Sequence, residues 1–268
     1  MSTVAQVSRQ FRFTNKAFWR NPASAFFTFA FPLMFLVIFT ALLGEGNVPV
    51  EGIELAQSTY YVGAMAAFGV ISACYTNIAM TTVFNRDGGI LKRLRGTPLP
   101  SSAYLSARVL HGMVVGAILV VITLVFGRIV YDAPLPSGLP LVQFIVTFLV
   151  GSLSFAALAL ALTSLVPNAD AAPPIVNATI LPLLFLSGIF IPLGDNAPKW
   201  MVTVADIFPV KPFAEAMRAG YLGNTVVLTP VGPMRAFPFH WGDVLVIAIW
   251  GIAGLILAAR FFSWEPRK

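Results

Sequence analysis

The chain alternates long apolar stretches with short polar segments. The apolar stretches cover residues 26–43, 60–84, 109–130, 141–166, 173–193 and 244–262. Each is about as long as the roughly 17–25 residues that a helix needs to cross a hydrocarbon core of about 30 Å, and few strongly polar side chains interrupt them. The pattern predicts an all-α polytopic membrane protein, a single domain over residues 1–268 with six transmembrane helices.

The charged residues are divided unevenly between the two sets of polar segments. If both termini lie on one side, that side holds 12 of the 17 basic residues but only three of the 11 acidic residues. The 12 are Arg9, Arg12, Lys16, Arg20, Arg86, Lys92, Arg93, Arg95, Arg108, Arg260, Arg267 and Lys268. Because basic segments stay in the cytoplasm, we expect an N-in, C-in topology with the 85–108 loop inside.

The formal net charge of +6 does not indicate a nucleic-acid partner. The basic residues lie close to the predicted membrane ends, where the anionic headgroups of membrane lipids are the expected partner. We therefore expect contacts with membrane lipids and none with nucleic acid.

Residues 1–22 form a basic, amphipathic segment before the first apolar stretch. Between residues 4 and 20, apolar side chains recur at spacings of three and four with arginines and a lysine between them. This pattern predicts an interfacial helix in the inner headgroup layer. The alternative is a basic tail that only orients the first span.

The 85–108 loop contains a short amphipathic run between the pair Gly88-Gly89 and Gly96. On a helix, three apolar residues can share one face while three basic residues face away. The apolar residues are Ile90, Leu91 and Leu94, and the basic residues are Lys92, Arg93 and Arg95. Such a helix would offer an apolar ridge with a basic rim to a cytoplasmic partner; alternatively, its charges only enforce topology.

The last external segment, residues 194–243, is too long for a simple turn. Residues 200–208 and 213–221 can each form a short helix, and we expect the pair to be re-entrant, dipping into the outer leaflet, because backbone at that depth must bond internally. Lys211, Glu215 and Arg218 follow a spacing that permits an ion pair on one face. A solvated loop is the alternative.

Catalytic and metal-binding motifs are missing from the sequence. It contains no G-x-x-x-x-G-K-[ST], no H-E-x-x-H and no G-x-S-x-G, and its single cysteine, Cys74, lies inside a predicted span. We therefore expect no enzymatic activity, catalytic residue, metal or cofactor in this chain. No predicted span carries an acidic residue or a lysine near its centre, so coupling to an ion gradient is poorly supported.

A sparse set of polar residues lies inside the second and fifth apolar stretches. Side chains of this kind in hydrocarbon prefer interhelical partners or a polar path, so they serve either as packing contacts or as a substrate path between the two spans. The candidates for the path are Ser72, Thr76, Asn77, Asn177 and Ser187. Prolines make the fifth stretch locally distortable.

Three segments in register resemble the membrane subunit of ABC-2 type exporters, in particular the daunorubicin-resistance and multidrug permease group. The first runs from Arg86 to Leu94, followed by Thr97-Pro98-Leu99; the second is residues 181–192, LPLLFLSGIFIP; the third leads from residues 207–210, IFPV, to residues 214–218, AEAMR. The order of these segments covers nearly the whole chain. The chain departs from the family pattern at Gly88-Gly89, where a more acidic and less flexible stretch is often found.

The resemblance implies a type V-like exporter transmembrane domain that pairs with a second copy or a related permease and with two copies of a separate ATPase subunit. ATP and Mg would be bound by that ATPase. The residues implied to couple to it are Arg86, Asp87, Ile90, Leu91, Lys92, Arg93 and Leu94. The 4–20 segment would be the connecting helix.

The function expected from the resemblance is export of a hydrophobic drug, antibiotic or lipid-like compound across a bacterial plasma membrane. The alternatives are export of a polysaccharide or lipid-linked glycan, and a passive channel or membrane scaffold that works without an ATPase.

Overall fold

The computed structural model describes residues 3–43, 47–50, 53–97, 99–192, 197–224, 226–229, 232–235 and 237–262. Within them the helices, in chain order, are α1 (Thr3–Trp19), α2 (Pro22–Leu43), α3 (Gln57–Ile71), α4 (Asn77–Asp87), α5 (Ile90–Arg95), α6 (Ser101–Tyr131), α7 (Gly138–Thr163), α8 (Ala172–Leu186), α9 (Lys199–Ile207), α10 (Val210–Leu222) and α11 (Trp241–Phe261). Two short antiparallel hairpins, β1 (Asn47–Val50) with β2 (Ile53–Ala56) and β3 (Val226–Thr229) with β4 (Gly232–Arg235), follow α2 and α10. The sequence pattern did not predict these hairpins.

Five helical segments of the described chain are long and apolar enough to cross a membrane. They correspond to the first four and the last of the six apolar stretches, which supports a multi-pass membrane protein. The fifth stretch forms α8, which has only 15 residues and therefore a length of about 22 Å, short of the hydrocarbon thickness. The sixth crossing and the orientation of the chain stay predictions.

The second span is a continuous helical segment of 31 residues, Gln57–Asp87, with a π-helical turn at Ser72–Thr76. This turn separates α3 from α4 and begins at the first residue of the predicted polar set. A π-turn inside an α-helix is rare and is frequently found at functional sites. The sequence contained no pattern that predicted it.

The bundle is built around α3, α4 and α7. In the apolar part of the second span 83% of the residues are buried inside the protein, whereas the corresponding shares in α2 and α11 are only 17% and 22%. Small residues surround the centre: Gly63 faces the Tyr221 ring, and Gly69 faces Leu119 on α6. α2 and α11 therefore present most of their side chains to the surroundings, as helices in contact with lipid do.

In the helix pair α9 and α10, α10 lies against the N-terminal half of α7 and near α11, while α9 contacts α8 and α10. A Cβ on Gly151 of α7 would lie 2.1 Å from the Phe213 ring, and one on Gly220 would lie 2.7 Å from the Phe144 backbone nitrogen. α10 is thus antiparallel to α7 and in direct backbone contact with it. The two helices match those predicted at 200–208 and 213–221 to within a few residues; their depth in the membrane stays a prediction.

The N-terminal segment 4–20 and the 85–108 loop contain helices where the sequence predicted them. α1 is an amphipathic helix that packs mainly against α6, and α5 begins just after Gly89 and ends before Gly96. The non-helical loop is shorter than the predicted 85–108 segment, because α4 continues to Asp87 and α6 starts at Ser101.

The end of α8 is held by two adjacent tyrosines of α3. The hydroxyl of Tyr60 donates to the Gly188 carbonyl, and that of Tyr61 donates to the Phe190 carbonyl at 3.0 Å. Both tyrosines are fully buried, and Phe190 packs within a cluster of aromatic rings from α2, α3 and α8. The segment after α8 is therefore part of the protein core.

Gly220→Ala should destabilise the protein, because the new methyl group would meet the backbone of Phe144 on α7, which cannot move aside as a side chain can. We expect a loss of about 1–3 kcal/mol, measured as a lower thermal midpoint of tryptophan fluorescence in mild detergent. Gly242→Ala is the control, because a Cβ at Gly242 meets nothing within 4 Å. Equal stability of the two variants would contradict the close approach of α10 and α7.

Candidate functional site

Arg86, at the end of α4, binds the C-terminal end of α7. Its guanidinium donates to the Thr163 carbonyl at 2.7 Å, to the Val166 carbonyl, and to the Pro167 carbonyl at 3.4 Å. The residue is 2% exposed. Because the last carbonyls of a helix lack intrahelical partners and carry partial negative charge, the guanidinium satisfies the C-terminus of α7. Arg86 is therefore an internal contact, and its side chain is not displayed to the cytoplasm.

Asp87 extends this connection to the loop between α7 and α8. Its carboxylate accepts a hydrogen bond from the Ala169 backbone N–H at 3.0 Å. The chain then turns through Gly88 and Gly89, and Gly89 adopts a left-handed conformation with φ of 72°. A side chain there would be strained although nothing lies near it. The glycine at position 89 therefore has a conformational role, because its left-handed backbone directs the chain into α5.

The residues of α5 divide between the interior and the surface differently from the sequence prediction. Leu91 is fully buried in the chain itself, whereas Ile90 is 43% exposed and Leu94 is half-buried. The basic residues Lys92 and Arg93 are exposed. The expectation that Ile90, Leu91 and Leu94 form one ridge for a partner is therefore corrected: Ile90 and Leu94 share a face, and Leu91 packs into the protein.

The face shared by Ile90 and Leu94 borders a cavity of about 660 Å³ between α1, α4, α5 and α6, which we call the inner cavity. Asn77, one of the five path candidates, lines it, as do Thr81 and Asn85 one and two turns further along α4. The opposite wall comes from α1, including Phe13 and Thr14. The inner cavity thus extends from Asn77 on α4 to the predicted coupling loop at α5.

The other path candidates are not gathered in one place. Ser72 and Thr76 are half-buried on the π-turn, and Asn177 is half-buried on α8. Ser187 is 1% exposed; its hydroxyl donates to the Leu184 carbonyl at 2.7 Å and accepts from the Ile189 N–H at 3.3 Å. The Ser187 side chain therefore satisfies the end of α8 and is not displayed on a path surface. For the other four residues, the path stays a prediction.

A direct polar contact between the second span and α8 comes from residues that the sequence analysis did not select as path candidates. The Tyr75 and Thr179 hydroxyls are 2.8 Å apart, and Thr179 also donates to the Val176 carbonyl. Both border a cavity of about 760 Å³ between α7, α8 and α11, which we call the lateral cleft. Tyr75 was missed because an aromatic residue in an apolar run usually signals core packing.

The lateral cleft is lined almost entirely by apolar side chains. The wall of α11 contributes Trp250, whose indole N–H donates to the Ile207 carbonyl at 2.7 Å and whose ring stacks on Phe208 with centroids 5.4 Å apart. Ser164, near the other end, donates to the Ala161 carbonyl at 2.7 Å. The hydroxyls and the indole N–H on its wall therefore already have partners within the protein, and an occupant would meet an apolar surface.

The α9–α10 pair carries the charged residues that the sequence analysis associated with an ion pair. The Lys211 ammonium lies 3.6 Å from the Glu215 carboxylate, as predicted, and 2.5 Å from the Asp206 carboxylate. Arg218 does not join this ion pair; its guanidinium lies over the Tyr60 ring, 4.7 Å from the centroid. A cation–π contact thus connects α10 to α3.

No group of three or more His, Cys, Asp or Glu residues that could hold a metal ion occurs in the described ranges. Cys74 is buried in the π-turn, and His111 lies against Phe11 and Phe18 of α1.

Comparison with known proteins gives two matches. The model of the ABC-2 type transporter family matches residues 5–222. YvfS of Bacillus subtilis (strain 168), which carries the provisional name of a transport permease, is 26% identical over 190 residues, covering 71% of this chain and 75% of that protein.

Replacing Arg86 should release the contact between α4 and α7. Arg86→Gln removes a buried charged donor, for which each hydrogen bond contributes about 1.5–3 kcal/mol, and we expect faster amide hydrogen exchange in both residues 84–96 and 163–171. Arg86→Lys keeps the charge but loses the planar geometry, so an intermediate effect is expected. Arg93→Gln, at an exposed arginine, is the control. Amide hydrogen exchange in Arg86→Gln equal to that of the native protein would refute the contact between α4 and α7.

Proposed function

The chain belongs to the ABC-2 type transporter family, and from this premise we propose that it is the membrane-spanning permease subunit of an ATP-driven exporter. The family match covers most of the chain, and the similar B. subtilis protein is named as a transport permease. The cargo we propose is a hydrophobic drug, antibiotic or lipid-like compound. The observation that carries this choice is the lateral cleft, whose wall is apolar and whose hydroxyls and indole N–H are satisfied internally.

The proposed partner on the cytoplasmic side is a separate ATPase subunit, present in two copies, that binds ATP and Mg. The surface available to it is the basic outer side of α5, with Lys92 and Arg95, together with Arg93, which also lines the inner cavity, and the neighbouring exposed face of α1. Arg86 and Asp87 support this surface from within, because they join α5 to the α7–α8 loop. A push on α5 would therefore be transmitted to the end of α7 and to the α7–α8 loop through the side-chain contacts of Arg86 and Asp87.

We further propose that the permease works as a dimer with a second copy or a related permease, in the plasma membrane of a bacterium. The exposed apolar side of α8, which includes Leu181 and Phe185, supports a helical partner or lipid at this position. A polysaccharide cargo is less favoured, because hydroxyl-rich compounds need unsatisfied donors and acceptors and the lateral cleft supplies few.

The exporter proposal predicts transport that depends on ATP and on the basic side of α5. In inverted membrane vesicles that contain the chain and its ATPase, a fluorescent hydrophobic dye should accumulate only when ATP is added. Lys92→Glu with Arg95→Glu should abolish both accumulation and dye-stimulated ATP hydrolysis, because reversed charges oppose the docking contact.

The control for that double variant is Arg128→Glu, since Arg128 is exposed at the far end of α6 and its replacement should leave transport unchanged. Dye movement that persists without ATP would favour a passive channel. An absence of ATPase activity and of dye movement in the intact assembly would favour a membrane scaffold.

The lateral cleft predicts a substitution that blocks the cargo and spares the ATPase contact. Ala178→Phe adds a ring to the α8 wall of the cleft and should strongly lower dye transport while basal ATP hydrolysis remains. Ala248→Phe is the matched control, because Ala248 lines a separate apolar cavity between α6, α7 and α11. Equal dye transport by the two variants would show that the cargo does not bind in the lateral cleft.

A further inference from the structure

The inner cavity differs from the lateral cleft in the chemistry of its wall. It is bordered by two arginines, Arg93 and Arg108, and by amide and hydroxyl side chains of α1, α4 and α6. No aspartate or glutamate belongs to its lining. A volume of about 660 Å³ lies within the range of small-ligand sites. The cavity therefore combines positive charge with hydrogen-bond donors and lacks a carboxylate to neutralise them.

Arg108 uses only part of its donor capacity within the protein. Its Nε donates to the Tyr104 hydroxyl at 3.2 Å, and its Nη1 donates to the Thr81 hydroxyl at 3.3 Å. A guanidinium has five N–H donors, so three remain without a partner among the described residues. Neither Arg93 nor Arg108 forms a salt bridge with any residue of the described ranges. A half-buried guanidinium in this state favours an anion nearby.

A second, independent feature is an unpartnered polar atom in the same wall. His111 is 95% buried, with a relative exposure of 5%, and its Nδ1 has no hydrogen-bond partner in the described structure. Its ring is held between Phe11 and Phe18 of α1, at centroid distances of 6.4 and 5.3 Å. Buried polar atoms are nearly always hydrogen-bonded, so His111 brings to the cavity lining a polar group that the described part of the chain does not satisfy.

The amides of α4 extend the donor set. Asn77 and Asn85 both line the inner cavity, and neither side chain forms a hydrogen bond with the described part of the chain. Asn77 and Asn85 lie eight residues apart and so form a row on one helix face, whereas the Thr81 hydroxyl between them already donates to the Asn77 carbonyl at 2.6 Å. An occupant with several acceptor oxygens could engage this row and Arg108 together.

We propose that the inner cavity is a binding site for a phosphate group. A phosphate presents several strong acceptor oxygens and negative charge, which match the guanidinium fork and the neutral donors around it. The site is independent of the exporter proposal, since it is formed within one chain between α1, α4, α5 and α6. Its phosphate comes either from the headgroup of an anionic phospholipid beside α1 or from a soluble phosphate compound.

Two probes distinguish these sources with the purified full-length chain. Phosphatidylglycerol is titrated in native mass spectrometry with zwitterionic phosphatidylcholine as reference, and inorganic phosphate is titrated against the thermal midpoint, which a bound ligand raises. A headgroup site predicts preferential retention of phosphatidylglycerol; a soluble-phosphate site predicts stabilisation by inorganic phosphate. Either result supports the phosphate site.

The variants decide whether the binding occurs in the inner cavity. Arg108→Gln should weaken binding of the effective probe by at least about tenfold, because a charged hydrogen-bonding group is lost. Arg12→Gln removes an exposed arginine of α1 that lies outside the cavity lining and should bind like the native chain.

His111→Phe provides a second variant that keeps an aromatic ring between Phe11 and Phe18 and removes both ring nitrogens. It should also weaken binding while its thermal midpoint without ligand stays near the native value. The proposal is overturned if neither probe binds, if the Arg108 and Arg12 variants lose binding equally, or if His111→Phe folds and binds as the native chain does.

Discussion

The buried guanidinium of Arg86 is the contact on which the arrangement of one end of the bundle depends. It satisfies the carbonyls at the C-terminus of α7 and so fixes α4 against that helix. Asp87 then holds the following loop, and Gly89 turns the chain into α5. A buried charge that loses its partners destabilises a protein far more than the pair stabilises it. The ends of α4, α5, α7 and α8 are therefore constrained to move together.

The satisfaction of polar atoms also distinguishes the two cavities. In the lateral cleft, the Tyr75, Thr179 and Trp250 polar atoms bond to other protein groups, so an apolar occupant loses nothing by entering. In the inner cavity, Arg108 and His111 retain unused capacity, so an apolar occupant would leave charged and polar groups unsolvated. The same rule, that unpaired polar groups are costly away from water, selects opposite ligands for the two sites.

The lengths of the apolar stretches predicted most of the long helices, because hydrophobic length follows from the local sequence. The helices at residues 3–19, 90–95, 199–207 and 210–222 were also predicted from local patterns. The burial of Leu91 was not, since a six-residue helix with mixed side chains does not show which face meets the protein. The partners of Arg86 are backbone carbonyls, which have no sequence signature. Ser187 was misplaced because its hydroxyl bonds locally to the end of its own helix.

The hairpins and the early end of α8 are features that hydrophobic periodicity does not predict. A run from 173 to 193 is apolar throughout, but its helix ends at Leu186, and the segment that follows bonds to Tyr60 and Tyr61. Tertiary hydrogen bonds there replace helical ones, and apolar character alone does not reveal the change. The π-turn at Ser72–Thr76 has a further consequence for the second span. Because it accommodates one residue more than an α-helical turn, it rotates everything beyond it by about 100°. The facial register of Tyr60 and that of Arg86 therefore both depend on the extra residue: straightening the turn at constant length would turn Arg86 away from α7, whereas deleting one residue within the turn would give a regular helix that keeps both registers.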